Sequence, residues 1–307
     1  SRESYSFTAR LAPFFITADQ GYQLWVNGRY VTRGPARGFQ SSWAYDEIDL
    51  KPWLRKGRNW ISVRVYNGGI STFSYCFEWH AGLLCAARWG RVRLASDDTW
   101  SARVSPAYRP DSPRMSVQTN LQEQFDARLD DDRWIRLARC PTTGWTAPSA
   151  RPFGCQPWYA LEPRGIPPLT AQPRPYAKAV TSAAGRCAAG WNNAPDAVVP
   201  LKAEFERLRW EDAPKLKRAG DWSVLDVPAT GGNRLAVVIL DMGEPTVGNL
   251  RVDITGGAGD EVIDWHGFEA LAEDGSPAKG LGGSGHAPRV SFAWRLRLRE
   301  GRTRHEF

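Results

Sequence analysis

The segment from residue 16 to residue 69 carries the two strongest strand signals in the chain, and it limits the fold more than any other part. Residues 22–33 alternate apolar and polar side chains on both sides of Asn27-Gly28, a pair that suits a two-residue hairpin turn because both residues tolerate positive φ. Residues 59–66 alternate in the same way and stop at Asn67-Gly68-Gly69, which favours a second strand followed by a turn. This segment therefore predicts antiparallel strands in a β-sandwich of the sugar-binding kind.

Length and composition extend this prediction to the whole chain. The chain has 307 residues, enough for about two domains. Its 29 Gly and 22 Pro supply many turns and favour short strands over long helices. Its 15 Trp are typical either of β-rich cores or of flat surfaces that stack on sugars. We predict an all-β protein made of two antiparallel β-sandwiches.

Proline marks the expected boundary between the two domains. Residues 140–175 are rich in proline, which rules out helix there and allows only extended or edge segments. We therefore expect a first domain over residues 1–168, a stiff linker over 169–175 and a second β-sandwich over 176–307. The last strand signals fall close to residue 307. Because a strand without a neighbour is unfavourable, we expect the second sandwich to be incomplete and the chain to be a fragment of a longer protein.

Charge and hydropathy narrow the range of partners. The formal net charge is +7, but the arginines are spread along the chain and alternate in residues 295–299, as on the solvated face of a sheet. We expect no nucleic-acid partner, and no membrane partner because no apolar run approaches the roughly 20 residues that span a bilayer. The chain begins with Ser and shows no signal peptide, but it could be a processed product, so localisation stays open, with a secreted or periplasmic bacterial protein favoured over a cytoplasmic one.

The cysteines and carboxylates give weak signals for metal or catalytic chemistry. Five cysteines without a CxxC motif indicate neither a zinc site nor a disulfide framework, and we expect most to be small buried side chains. A disulfide between Cys140 and Cys155 is left open. The sequence has no GxSxG or HExxH motif. The remaining acidic groups are expected to be solvated turn or edge residues, although glycoside hydrolysis needs only two carboxylates and an aspartate run can bind calcium. They are Asp241 with Glu244, Asp264 with Glu269, and the run 130–132.

The loop that joins the two strand signals combines aromatic and polar side chains, as a sugar site requires. Sugars present hydroxyls to polar groups and C–H faces to aromatic rings. Structural roles compete with this interpretation, because Trp43 and Tyr45 could be sandwich core and Asp46 could cap a turn. The candidate carbohydrate-binding residues are Arg37, Gln40, Trp43, Tyr45, Asp46 and Asn67.

Several motifs in this segment form a recognisable pattern. A strand ends in Val-Asn-Gly at residues 26–28, and a Gly-Pro turn follows at 34–35. The pattern W-x-Y-D-x-x-D-L covers residues 43–50, and G-x-N-x-I-x-V covers 57–63. This skeleton resembles the N-terminal galactose-binding-like jelly roll of bacterial α-L-rhamnosidases of glycoside hydrolase family 78.

Motifs downstream extend the resemblance over nearly the whole chain. Phe-Asp-Ala-Arg at 125–128, Gln-Pro-Trp at 156–158 and Pro-Arg-Gly-Ile-Pro-Pro-Leu at 163–169 look like the close of that domain. Residues 241–248, with the Gly-rich stretch and strand that follow them, look like the start of the concanavalin-like β-sandwich that these enzymes place next.

The resemblance implies a non-catalytic role for this chain. In that family an (α/α)6 barrel downstream of both β domains performs an inverting, two-carboxylate hydrolysis of terminal α-L-rhamnosides. No residue here matches its catalytic motif, so no catalytic residue is assigned. The implied role is scaffold and carbohydrate-binding module, with a rhamnose-containing glycan and the catalytic domain of the same polypeptide as partners. No cofactor is indicated, although a structural calcium ion stays open because some members carry a calcium-dependent rhamnose-binding module.

Two other functions are compatible with the residues. The chain could be an autonomous lectin-like protein, since the sugar-site argument does not require an attached hydrolase. It could also be an active β-sandwich glycosidase that uses Asp264 and Glu269.

Overall fold

The computed structural model describes residues 11–114, 121–130, 132–136, 143–152, 154–187, 190–197, 208–228, 230–268 and 292–307. These residues form strands, turns and loops with very little helix, so the prediction of an all-β fold is confirmed. The chain divides into two compact units, one formed by residues 1–105 and 131–169 and the other by 106–130 and 170–307. Within the described residues, no helix has the length and apolar character needed to cross a membrane.

The first unit is built from two sheets. A five-stranded sheet has the order β7-β6-β1-β4-β9, and a three-stranded sheet has the order β3-β2-β5. Neighbouring strands are antiparallel except β4 and β9, which are parallel. A four-residue helix, α1, spans Arg133–Arg136, and a short 3₁₀ turn spans Lys51–Trp53. The strands, numbered along the chain, are β1 (Pro13–Asp19), β2 (Gly21–Val26), β3 (Arg29–Gly34), β4 (Trp43–Asp49), β5 (Ile61–Tyr66), β6 (Gly82–Trp89), β7 (Val92–Ala95) and β9 (Leu161–Pro163).

The hairpin that the sequence predicts at Asn27-Gly28 is present. Both residues have positive φ, 53° and 78°, and strands β2 and β3 pair on either side of them. Because side chains alternate across a strand, one face of β2 turns inward and packs against β1 and β6 in the core between the sheets. The buried core residues are Phe14, Ile16, Ala18, Tyr22, Leu24, Val26, Leu50, Cys85 and Ala87.

Two segments of this unit that are rich in apolar residues do not form continuous strands. Residues 73–80 form a loop, in which Thr72 and Tyr75 make only an isolated bridge. Of their apolar side chains, Tyr75 and Phe77 pack against Trp43 and Trp158, whereas Phe73 and Trp79 are exposed. The alternating run at 89–94 is broken by a turn, because Gly90 adopts a φ of 61° and separates β6 from β7.

The second unit contains several smaller sheets. β11-β10-β14 and β16-β17-β8 are three-stranded, and β12-β13 and β15-β18 are pairs. Its larger core surrounds Leu296, which is fully buried among Phe125, Val252, Leu298 and Phe307. The strands are β8 (Glu123–Asp126), β10 (Lys178–Arg186), β11 (Arg209–Glu211), β12 (Lys217–Ala219), β13 (Trp222–Val224), β14 (Arg234–Asp241), β15 (Arg251–Ala258), β16 (Val262–Gly267), β17 (Phe292–Arg297) and β18 (Glu300–Glu306).

Strands of this unit pair with strands that lie far away in the sequence. β8 lies in the part of the chain that the sequence assigned to the first domain, but it pairs in parallel with β17. The segment 169–175, where the linker was expected, contains no assigned strand. As a boundary between independently folding domains, 169–175 stays a prediction. The last strand, β18, has a neighbour, since it pairs with β15 over its whole length.

The cysteines are less buried than the sequence suggested. Cys85 is buried and Cys187 is half-buried, whereas Cys76 and Cys155 are exposed. Cys140 lies outside the described residues, so its pairing with Cys155 stays untested.

Candidate functional site

The six candidate residues separate into two places in the first unit. Arg37, Gln40 and Asn67 lie on two neighbouring loops, which we call the 37–42 loop and the 67–80 loop. Tyr45 and Asp46 line a depression beside strands β4 and β9. Trp43 is 1% exposed, beneath the loops.

The two loops meet at the carboxylate of Asp19. This residue ends β1 and is fully buried. It accepts hydrogen bonds from the Tyr75 hydroxyl, from Asn67 Nδ2 at 3.4 Å and from Gln40 Nε2 at 3.4 Å. Burial raises the pKa of Asp19, and these hydrogen bonds offset part of the rise. Burial, together with the bond to Asp19, also raises the pKa of Tyr75. Two of the six candidates, Gln40 and Asn67, therefore donate hydrogen bonds to a buried carboxyl group.

Further hydrogen bonds tie the loops to each other. Gln40 Nε2 donates to the Cys76 carbonyl at 2.7 Å, and Arg37 donates to Ser74 Oγ at 2.6 Å. Within the 67–80 loop, Asn67 donates to the Tyr75 hydroxyl at 3.2 Å. Because every one of these bonds links residues distant in sequence or closes a turn, the two loops form one connected surface.

Aromatic packing supports this surface from below. The rings of Trp43 and Tyr75 meet edge to face with centroids 6.3 Å apart, and Trp158 completes the cluster. The indole Nε1 atoms of Trp43 and Trp158 are buried and have no hydrogen-bond partner among the described residues. Trp43 is thus a packing residue in this structure, and its ring faces are not accessible to a ligand.

Three other aromatic rings of the two loops point into solvent. Phe39 is 67% exposed, Phe73 is 84% exposed and Trp79 is 82% exposed. Phe73 and Trp79 are absent from the sequence-based candidates because a dense apolar run such as residues 73–85 favours strands whose apolar side chains are buried. The Gly-Gly pair before this segment was the one signal that could have indicated a loop.

The depression beside β4 and β9 has a volume of about 310 Å³ and includes Tyr45, Asp46 and Arg164 in its lining. Tyr45 packs edge to face against Phe15 with centroids 5.9 Å apart. Asp46 accepts hydrogen bonds from Arg164, one of them at 2.9 Å, and from the Tyr22 hydroxyl. Because Asp46 is already paired with a buried cation, it offers a ligand little free hydrogen-bonding capacity.

The carboxylates considered for catalysis in the second unit are engaged or exposed. Asp264 accepts hydrogen bonds from Arg295 at 2.7 and 2.8 Å and from Trp191 Nε1 at 3.1 Å. Asp241 accepts a backbone hydrogen bond from Gly243, and Glu244 is an exposed partner of Arg174. Glu269 lies outside the described residues. Asp264 therefore belongs to a buried ion pair that links the neighbouring strands β16 and β17.

The described residues contain no group of three or more His, Cys, Asp or Glu side chains arranged to hold a metal ion. Asp131, the middle residue of the aspartate run, lies outside them, so a calcium site at this run stays untested.

Comparison with known proteins gives a consistent result at the level of structure. No protein-family model matches the chain, and no curated protein matches it. A family 78 rhamnosidase from a Bacillus species aligns with 62% of this chain and 21% of its own, at 31% identity and a TM-score of 0.52.

Two further α-L-rhamnosidases align with nearly the whole chain. The enzyme from Dictyoglumus thermophilum covers 99% of this chain and 28% of its own, at 16% identity and a TM-score of 0.54. The enzyme from Streptomyces avermitilis, solved in complex with L-rhamnose, covers 100% of this chain and 25% of its own, at 18% identity and a TM-score of 0.55. The chain thus spans about a fifth to less than a third of the length of these enzymes. The resemblance to the N-terminal β-sandwich region of α-L-rhamnosidases is confirmed.

Proposed function

We propose that this chain is the non-catalytic N-terminal portion of an α-L-rhamnosidase-like glycoside hydrolase, in which it acts as a scaffold and a carbohydrate-binding module. The observation that supports this most directly is the alignment of 62% of the chain, at 31% identity, with 21% of a family 78 rhamnosidase. Under this proposal, the remainder of the enzyme performs the chemistry. The parent enzyme would cleave terminal α-L-rhamnosides with two carboxylates on another domain, one as general acid and one as general base for an inverting attack by water.

The state of the described carboxylates agrees with a non-catalytic role. General acid–base catalysis needs a carboxyl group within reach of a substrate. Asp46 and Asp264 are instead paired with buried arginines, and Asp19 is enclosed by its hydrogen-bond donors.

The 37–42 and 67–80 loops are the proposed carbohydrate site. The exposed Arg37 and the half-buried Asn67 lie at its rim and supply polar groups for sugar hydroxyls. Gln40 and Trp43 hold the two loops in position from beneath. Tyr45 and Asp46 line a proposed second contact region at the depression, where Tyr45 offers a half-buried ring and Asp46 holds the Arg164 guanidinium beside it. The proposed ligand is a rhamnose-containing glycan, because this is the ligand class that the proposed parent enzyme implies.

An activity assay tests the non-catalytic part. The chain is incubated with an aryl α-L-rhamnoside, with a full-length α-L-rhamnosidase as the positive control. We expect release of the aryl group by the control alone. Turnover by the chain itself, abolished by Asp264→Asn, would overturn the non-catalytic assignment and favour a β-sandwich glycosidase.

A binding assay tests the carbohydrate-binding part. Calorimetric titration with L-rhamnose, with and without a chelator, is expected to give heat of binding. A signal lost on chelation would add a calcium ion to the site. The absence of heat at millimolar L-rhamnose would leave the scaffold role alone.

An autonomous lectin-like protein is the second candidate, since the exposed rings of the two loops would serve it equally well. The two candidate functions differ in whether the sugar-binding chain needs an attached catalytic domain. A lectin-like chain would occur and bind sugar without an attached barrel, so the reading frame beyond residue 307 discriminates between the two.

A further inference from the structure

The most exposed aromatic side chains of the first unit lie on the two loops of the proposed sugar site. Phe73 and Trp79 are 84% and 82% exposed, and Phe39 is 67% exposed. Exposed apolar residues scattered singly are ordinary, but several aromatic rings on one connected surface mark an interaction site. Phe39 adjoins Gln40, and Phe73 adjoins Ser74, so these two rings stand next to residues that tie the loops together.

The backbone holds these rings away from the core. Phe39 lies in a tight turn closed by a hydrogen bond from Ser42 N to its carbonyl at 2.8 Å, and Phe73 lies in the turn between Thr72 and Tyr75. Trp79 has a φ of 66°, a conformation that bulky residues rarely adopt. Its ring is supported by Phe77, with centroids 5.7 Å apart. The three rings are therefore displayed on fixed loops, which lowers the entropy cost of contacting a ligand.

The polar groups beside the rings indicate which class of ligand this surface binds. A protein–protein interface typically buries an apolar centre with polar groups at its rim. Here an exposed polar pair lies beside the rings, since Arg37 donates a hydrogen bond to Ser74 Oγ next to Phe73. A pyranose also combines polar and apolar groups, with hydroxyls around an apolar C–H face.

We propose that Phe39, Phe73 and Trp79 form a stacking platform that takes the C–H face and the C5 methyl group of a 6-deoxyhexose, while Arg37 hydrogen-bonds its hydroxyls. This rests on the proposed carbohydrate-binding function and assigns its direct contacts to rings outside the original candidate set. The arrangement predicts a preference for a methyl group over a hydroxymethyl group at C5, because only the methyl group gains from contact with the rings.

The test is calorimetric titration of the full chain with methyl α-L-rhamnoside and with methyl α-L-mannoside, which differ only at that carbon. The variants are Trp79→Ala and Phe73→Ala, with Val104→Ala as the matched control because Val104 is 92% exposed and lies on neither loop. Unchanged thermal unfolding confirms that each variant folds. Trp79→Ala is expected to weaken rhamnoside binding about tenfold, the control to leave it unchanged, and the mannoside to bind about fourfold more weakly.

The outcomes separate this proposal from the function on which it rests. If the wild-type chain binds the rhamnoside and both ring variants bind it equally well, the platform is overturned while carbohydrate binding at the loops stands. If the wild-type chain gives no heat with either sugar at millimolar concentration, both are overturned. If Trp79→Ala instead turns a self-associating chain into a monomer in sedimentation, the rings are an interface between copies and the platform is wrong.

Discussion

The carboxylate of Asp46 accepts hydrogen bonds from the guanidinium of Arg164, 118 residues further along the chain. The side chains are only 8% and 12% exposed, and the Tyr22 hydroxyl donates to the same carboxylate. Gly34 fits closely against this group, because a Cβ atom there would lie 2.9 Å from both Tyr22 and Arg164. Asp46 lies on β4, and Arg164 follows β9, so the pair fixes the end of the first unit to its central sheet.

Replacing Arg164 by Met should destabilise the first unit strongly. The change leaves the Asp46 carboxylate buried without its cation, and breaking a buried pair in this way costs about 3–5 kcal/mol. The free energy of unfolding, measured in urea, is expected to fall by about that amount. Arg55→Met is the control, since Arg55 is exposed, and should change it by less than about 0.5 kcal/mol. A loss below about 1 kcal/mol for Arg164→Met would contradict the role given to this pair.

Asp19 should make the stability of the first unit depend on pH. Burial raises its pKa, so the folded chain holds this proton more tightly than the unfolded chain. Its contribution to stability is therefore complete below the unfolded pKa of about 3.9 and is lost as pH rises through the folded pKa. Relative to wild type, Asp19→Asn should gain in unfolding free energy as pH rises from about 4 to 7.

Asp97 is a control, because its contribution to stability changes with pH in the opposite direction. Hydrogen bonds from Thr99 lower its pKa, so its contribution is present at neutral pH and is lost as pH falls. Parallel stability profiles for wild type and Asp19→Asn over this pH range would show that the buried carboxyl group does not titrate as proposed.

Local chemistry explains why the hairpin was predictable from sequence and the 67–80 loop was not. The hairpin depends on Asn27 and Gly28 and on alternation in the strands beside them, all within a dozen residues. The loop depends on Trp43 and Trp158, which bury Tyr75 from distant parts of the chain. The same limit applies to β8, whose partner β17 lies more than 150 residues away and whose short alternation carries no information about that pairing.

The sequence likewise predicted only part of the candidate site. Aromatic and polar composition located the 37–45 region and Asn67, and the structure brings Gln40 and Asn67 together at Asp19. Which rings face solvent could not be derived, because exposure is set by tertiary contacts. Trp43 is covered by the 67–80 loop, whereas Trp79 on that loop is exposed.

Trp43 and Tyr45 should therefore respond differently to substitution. Trp43 is 1% exposed, so Trp43→Ala should lower the free energy of unfolding by about 3–5 kcal/mol. Tyr45 is half-buried against Phe15, and Tyr45→Ala should cost about 1 kcal/mol. Urea unfolding measures both. Equal losses would mean that Trp43 packs no more tightly than a rim residue.

The cysteines give a test of burial that needs no substitution. Burial raises the pKa of the Cys85 thiol to about 12, and the residue is 2% exposed on β6. Because the thiolate is the reactive form, at pH 8 only on the order of one Cys85 in ten thousand is reactive even before its burial is considered. Cys76 and Cys155 are exposed and should be alkylated by iodoacetamide in the folded chain, while Cys85 should react only after denaturation. Peptide mass spectrometry before and after adding guanidinium reads out each site. Alkylation of Cys85 in the folded chain at the rate of Cys76 would mean that the Cys85 side chain is not enclosed in the core between the two sheets.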